Sequence, residues 1–183
     1  MQILTERLVI RHFTQNDYAD FAELIRNTMA GEYSICDVQW PTDDEGIQNL
    51  LFSHIHETSF TLCKWFAVEL KSQSKVIGSL LIRPYSYLDD KLGVQTDNTT
   101  QCLSWTSNSD YQGSGYMHEA LQALMDYCQK ESSTKRFRVE VIDLNIPSVK
   151  LTEKLGFVKI HSFEETFIDG GEELEGTVYE KVL

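Results

Sequence analysis

Apolar and polar residues alternate from Leu8 to Phe13, the period of a short strand with one face buried. Thr14 followed by Asp17 makes a capping-box pattern that opens a helix, and Tyr18, Phe21, Ala22, Ile25 and Met29 fall on one side of it. Gly31 to Pro41 reads as a loop. Thr42 with Glu45 announces a second helix whose apolar face is Ile47, Leu50, Leu51 and Ile55. Three strand-like runs follow: Lys64 to Leu70, then Val76 to Tyr85 after a polar turn, then Thr100 to Thr106 after an Asp/Asn-rich stretch. This is the pattern of an antiparallel meander.

From Met117 the period changes. Met117, Ala120, Leu121, Leu124, Met125 and Cys128 form the longest helical stripe in the chain. Phe137, Val139 and Val141 then alternate as a strand. Ser148 to Leu155 reads as a short helix that Gly156 can close in the left-handed conformation, and two last strands surround a turn at Asp169, Gly170 and Gly171. The expected fold is α/β in one domain, residues 1–183: a mixed, mostly antiparallel twisted sheet of about seven strands flanked by about four helices, in the order β-α-α-β-β-β-α-β-α-β-β.

Composition narrows the function classes. Hydrophobic residues are 42% and charged residues 24%, so the chain can bury a core and lies far from the composition of disorder. The net charge of -12 disfavours nucleic acid and anionic membrane as partners, because phosphates need a basic footprint. No apolar stretch is long enough to cross a bilayer, and Met1 to Arg7 lacks the basic-then-apolar pattern of a secretory signal. Cys36, Cys63, Cys102 and Cys128 are scattered, without a CxxC pair, which points to reduced thiols and a cytoplasmic address. His54 and His56, two apart on a helix, point to different faces and make no paired metal site. No metal is expected.

The chemistry concentrates between the third meander strand and the long helix, at Gln112, Gly113, Ser114, Gly115, Tyr116 and Met117. Two glycines let the backbone turn sharply and approach a ligand closely, and the first turn of the following helix offers free N–H groups to an anion such as a pyrophosphate. The same glycines would also serve a plain strand-to-helix turn. A P-loop would end in Gly-Lys-Ser/Thr, and a dinucleotide fingerprint would place glycine at His118; neither pattern is present.

The segment resembles motif A of the GNAT N-acyltransferase superfamily, Q/R-x-x-G-x-G/A, and it continues as "YMHEALQAL", similar to the "YATEAL" of the RimJ/RimL-like branch that modifies ribosomal-protein N-termini. Asn145, Ile146, Pro147 and Ser148, then Glu153 to Phe157, resemble the superfamily's motif B. "TERLVIRHFTQND" is similar to the branch's opening, Trp40 and Pro41 to its acceptor-side loop, and the closing strands match too, so the resemblance spans nearly the whole chain. Met117 departs from it, standing where the motif prefers Gly or Ala.

The resemblance implies transfer of an acetyl group from acetyl-coenzyme A to a primary amine by direct attack through a tetrahedral intermediate. A protein N-terminal α-amine is the favoured acceptor, with a polyamine or other small-molecule amine also open. It implies that Gln112 to Met117 bind coenzyme A with the backbone of Ser104, Trp105 and Thr106 and with Asn145 and Ser148, and that Ser148 donates a proton to the leaving thiolate. Read from the residues alone, Asn145 and Ser148 would equally suit a helix cap.

The tyrosine many GNAT enzymes use for that proton is Thr152 here, and the branch's strand glutamate is Cys102, read as a small buried side chain. Glu69 is the candidate base, and Glu32, Asp37 and Trp40 the candidate acceptor contacts. The alternative is a non-catalytic acyl-coenzyme A-binding or regulatory module of the same fold. Exposed sheet edges near the terminal strands leave a homodimer open.

Overall fold

A computed structural model describes residues 1–36, 39–56, 63–89, 91–166 and 173–183. Asp37 and the turn at Asp169 to Gly171 lie outside them. One eight-stranded sheet organises the rest, in the order β1-β2-β3-β4-β5-β6-β8-β7. Its strands are β1 (Gln2–Leu4), β2 (Leu8–Arg11), β3 (Lys64–Leu70), β4 (Lys75–Asp89), β5 (Gly93–Ser107), β6 (Arg136–Ile142), β7 (Val158–Thr166) and β8 (Glu173–Val182). The helices are α1 (Tyr18–Met29), α2 (Asp44–Ile55), α3 (Tyr116–Glu131) and α4 (Ile146–Lys154). Every strand pair is antiparallel except β5 with β6.

The fold is the mixed α/β arrangement expected, with the edge strand β1 in addition. The meander is also longer than the apolar pattern suggested. The Asp/Asn-rich stretch pairs with Tyr85 to Asp89 as the far half of a hairpin, where both strands are largely solvated and polar residues carry no cost. Three residues, Asn98 to Thr100, are looped out where the hairpin bends, between the pairs Pro84↔Gln101 and Tyr85↔Asp97. Asp97 holds that bend by accepting hydrogen bonds from both Thr99 and Thr100. The Thr100 hydroxyl foremost, then the Thr99 hydroxyl and N–H, take its carboxyl down to about 2.

The two sheet faces bury different clusters. On one, Ile10, Phe66, Val68, Leu80, Leu103, Phe137 and Val139 pack against Leu121, Leu124 and Met125 of α3. On the other, Ala67 and Val76 pack under Phe21, Leu24 and Ile25 of α1 and Ile47 and Leu51 of α2. Strand parity therefore assigns faces near the centre of the sheet: odd positions of β6 and of β5 from Gln101 onward point to α3, and even positions point to the α1/α2 side. The capping box expected at Thr14 and Asp17 forms, on a short 3-10 turn before α1. For α2 the cap is Asp43 rather than Thr42, its carboxylate accepting from the Gly46 N–H at 2.8 Å.

His54 belongs to the second cluster's core. It stacks on Trp65 with ring centroids 3.9 Å apart, meets Phe13 and Phe21 edge-on, and is 4% exposed. Burial moves its pKa from the ordinary 6.5 to about 4. The unfolded chain therefore binds one more proton than the folded chain between those values. Stability is full above pH 6.5 and falls as pH drops toward 4, on the order of 3 kcal/mol in all. Urea titrations between pH 7 and 4 are expected to show this loss in the wild type and a smaller one in His54→Phe. An equal loss in both would place the acid sensitivity elsewhere.

Candidate active site

The parallel pair β5–α3–β6 brings two helix starts to the same edge of the sheet. α3 begins just past the carboxyl end of β5, and α4 just past that of β6, the position where ligands bind in sheets with parallel strands. Between them the sheet opens. β5 and β6 are paired only at Thr100↔Arg136, Gln101↔Phe137 and Cys102↔Arg138, and beyond Cys102 they diverge. The β6-facing backbone groups of Leu103 to Thr106 thus have no strand partner.

The glycine loop bridges β5 and α3. Gly113 and Gly115 have φ of +76° and +78°, the left-handed region that side chains resist, and Gly115 is the N-cap residue of α3. Nothing stands within 4 Å of where a side chain at Gly113 would begin, so the loop's outer surface is bare backbone. Gln112, Ser114 and the glycines are exposed, and Tyr116 is half-buried. Met117 turns inward, as its tolerance in this motif requires. A side chain at Gly78 of β4 would meet the Met117 methyl at 2.8 Å and the Thr106 carbonyl at 2.7 Å.

Two networks hold this loop from opposite sides. From the N-terminal segment, Arg7 donates to the Ser114 carbonyl at 3.0 Å and to Glu119 of α3 at 2.6 Å, and its guanidinium lies 4.5 Å over the Tyr116 ring. Glu119 also accepts from the Thr5 hydroxyl and the Arg7 N–H. Burial pushes its carboxyl up, but these bonds outweigh burial and leave it below the ordinary carboxylate range. From α1, Asn27 donates to the buried Asn108, which itself donates to Glu23 and caps the 3-10 turn leading into the loop. A groove of about 500 Å³ flanks the loop, lined by Arg7, Gly115, His118, Glu119, Gln122 and Lys154 among others. Burial, then the charges of Lys154 and Lys181, lower the pKa of His118 there.

At the α4 start, the Asn145 side chain accepts from the Ser148 N–H at 3.2 Å, the capping role its residue type suits. Ser148 is half-buried, and its hydroxyl has no hydrogen-bond partner among the described residues. Thr152, where the resemblance would place a tyrosine, is fully buried and donates to the Ser148 carbonyl.

Glu69 lies elsewhere. Its carboxylate is ion-paired to Arg11 at 2.7 Å, on the α1 side of β3, with β4 standing between it and β5. Arg11 is shared with Asp17, and Asp17 foremost, together with Glu69, raises the guanidinium pKa further. This pairing makes Glu69 a structural partner of Arg11. Glu32 is exposed in the turn after α1, and Trp40 packs half-buried against the α1/α2 cluster.

The carboxylate at the fork is instead Glu140. It lines a water-sized recess of about 20 Å³ with Arg83, Cys102, Leu103, Ser104 and Arg138, where the β5/β6 pairing ends. Apolar spacing in Phe137, Val139 and Val141 assigns Glu140 to the opposite face, but which face meets the fork depends on strand register. Cys102 is 8% exposed; burial raises its pKa and keeps it a thiol, as its reading as a small buried side chain requires.

The profile of the family described as "Acetyltransferase (GNAT) domain" matches residues 7–158. The chain belongs to this GNAT acetyltransferase family. A curated relative, the uncharacterized N-acetyltransferase YnaD of Bacillus subtilis (strain 168), is 26% identical over 172 residues, 94% of this chain and 91% of its own. A GNAT-family acetyltransferase from Bacillus anthracis superposes with a TM-score of 0.79 at 24% identity, over 100% of this chain and 98% of its own. RimL, a ribosomal L7/L12 α-N-protein acetyltransferase solved with coenzyme A, superposes with a TM-score of 0.80 at 16% identity, over 100% and 98%. The fold and the acyltransferase class are thus those the two sequence motifs implied.

Because Gly113 faces open space, its left-handed backbone can be tested in isolation. Gly113→Val is expected to cost about 1–3 kcal/mol of stability from backbone strain alone. Chemical denaturation would measure it; an unchanged midpoint would mean the loop relaxes out of this conformation.

Proposed function

We propose that this GNAT domain transfers an acetyl group from acetyl-coenzyme A to a primary amine by direct attack, with a protein N-terminal α-amine as the favoured acceptor. The observation that carries the reading is the continuity of the left-handed glycine loop with the opening between β5 and β6. A pyrophosphate held by the N–H groups from Gly113 to Met117 would lead a thioester arm directly along the unpaired edge of Ser104, Trp105 and Thr106. The loop suits that ligand, since bare backbone and a helix start are what a pyrophosphate needs. Gln112, Ser114 and Tyr116 frame it, and Lys154 and His118 stand on the adjoining groove.

Acetyl-coenzyme A brings the activated acyl group; the chain's own residues handle protons and position. Glu140, on the α1/α2 side of the fork, accepts a proton from the incoming ammonium, directly or through a water in the recess. Ser148 keeps its hydroxyl free at the start of α4, beside Asn145, and donates to the departing sulfur. The acceptor approaches from the α1/α2 side, past Trp40 and Glu32. Support for an α-amine acceptor comes from the RimL-like resemblance.

Calorimetric titration of acetyl-coenzyme A, with thiol-release assays on peptides, polyamines and small amines, tests this reading. Amine-dependent thiol release is expected. Glu140→Gln should lower kcat by roughly 100-fold or more with unchanged acetyl-coenzyme A affinity. Ser148→Ala should lower it roughly tenfold, the worth of one hydrogen bond in the transition state. Gly113→Val should weaken acetyl-coenzyme A binding while sparing the fold. Binding without release from any amine would favour an acyl-coenzyme A-binding module, and no binding would overturn the proposal.

A further inference from the structure

The α1/α2 side of the fork carries a row of charged side chains set by strand register. Arg83 lies opposite Cys102, Cys102 opposite Arg138, and Arg138 opposite Glu180, so the row crosses β4, β5, β6 and β8 on one face. Arg138 is fully engaged: it donates to Glu180 at 2.8 Å and lies 4.2 Å over the Tyr85 ring. Arg83 is different. It is half-buried and lines the fork recess, yet it has no hydrogen bond or ion pair among the described residues.

That is unexpected in a chain with 28 acidic and only 16 basic residues. Arg7, Arg11, Arg26 and Arg138 each hold a carboxylate. A guanidinium that is partly withdrawn from water has lost hydration, and with five donors it is stabilised best by a planar oxyanion that accepts two of them. Arg83 shares its recess with Glu140, so an acceptor whose amine meets Glu140 brings its nearest substituent beside Arg83. The recess holds about one water, so the acceptor itself must lie across its mouth on the open face.

We propose that Arg83 determines acceptor choice by binding an oxyanion carried close to the reacting amine, so that the preferred substrates are amines bearing a neighbouring carboxylate. This rests on the acetyl-transfer reading above and goes further, because the chain's strongly negative charge would by itself suggest a cationic acceptor. The same chemistry can come from a peptide whose second residue is acidic or from a small amine with its own carboxylate.

The test compares matched acceptors: peptides beginning Ser-Asp, Ser-Asn and Ser-Lys, and a free amino acid against its amide. Each is titrated calorimetrically into the protein with and without coenzyme A and assayed for thiol release with acetyl-coenzyme A. The acidic member of at least one set is expected to bind and react roughly 10- to 100-fold better, the worth of a charge-assisted pair. Which set shows it identifies the source of the carboxylate.

Arg83→Met should collapse the preference to within about threefold, while Arg83→Lys retains part of it and acetyl-coenzyme A affinity is unchanged in both. Equal treatment of all members by the wild type, or a preference that survives Arg83→Met, overturns the proposal. Failure of acetyl-coenzyme A to bind would sink the acetyl-transfer reading instead, and the charge preference would still be read from acceptor titrations.

Discussion

Parallel strands must be joined by a crossover, and the α3 crossover from β5 to β6 leaves their pairing only three residues long before the strands part. Most of the site follows from that short ladder. It places two helix starts side by side at one edge of the sheet, and it leaves a strand edge without a partner between them. It also puts the last paired row, through Cys102 and Arg138, at the floor of the resulting cleft. Were the ladder to continue to Ser107, the same residues would make an ordinary closed sheet with no room for an extended ligand.

Around this opening the polar interactions are arranged to hold backbone. Arg7 and Glu119 tie the N-terminal segment to the glycine loop and the first turn of α3, and Asn108 ties the same loop to α1. The loop can therefore hold two left-handed residues, because it is gripped at both flanks by groups that are themselves paired. A cleft whose walls are backbone needs few side chains of special character, and this is compatible with Thr152 and Cys102 at the positions where the sequence resemblance implies tyrosine and glutamate.

Much of this was legible from residue order. The helical stripe from Met117, the positive-φ glycines and the Asn145 cap are local features, fixed by neighbours in sequence. What residue order concealed was cross-strand position. Glu69 was a candidate by its place on a predicted strand, and residue order did not show that Arg11 pairs with it from the adjacent strand. Glu140 and Arg83 stand in no motif, and only the register of β4, β5 and β6 brings them to one recess. The far half of β5 was hidden for another reason: its Asp and Asn residues disfavour a strand, and pairing with Tyr85 to Asp89 overrides that preference.

Met117 shows how a departure from a motif can be structural. Gly78 has no side chain because the Thr106 carbonyl and the Met117 methyl already occupy that space. The two residues divide one volume beneath the glycine loop, methionine filling from the helix what the strand leaves open. A small residue at 117, which the motif would prefer, would here leave the loop standing over a void. The bulk that departs from the linear pattern acts as the footing of the loop, and position 78 stays glycine whatever stands at 117, because the Thr106 carbonyl also closes it to a side chain.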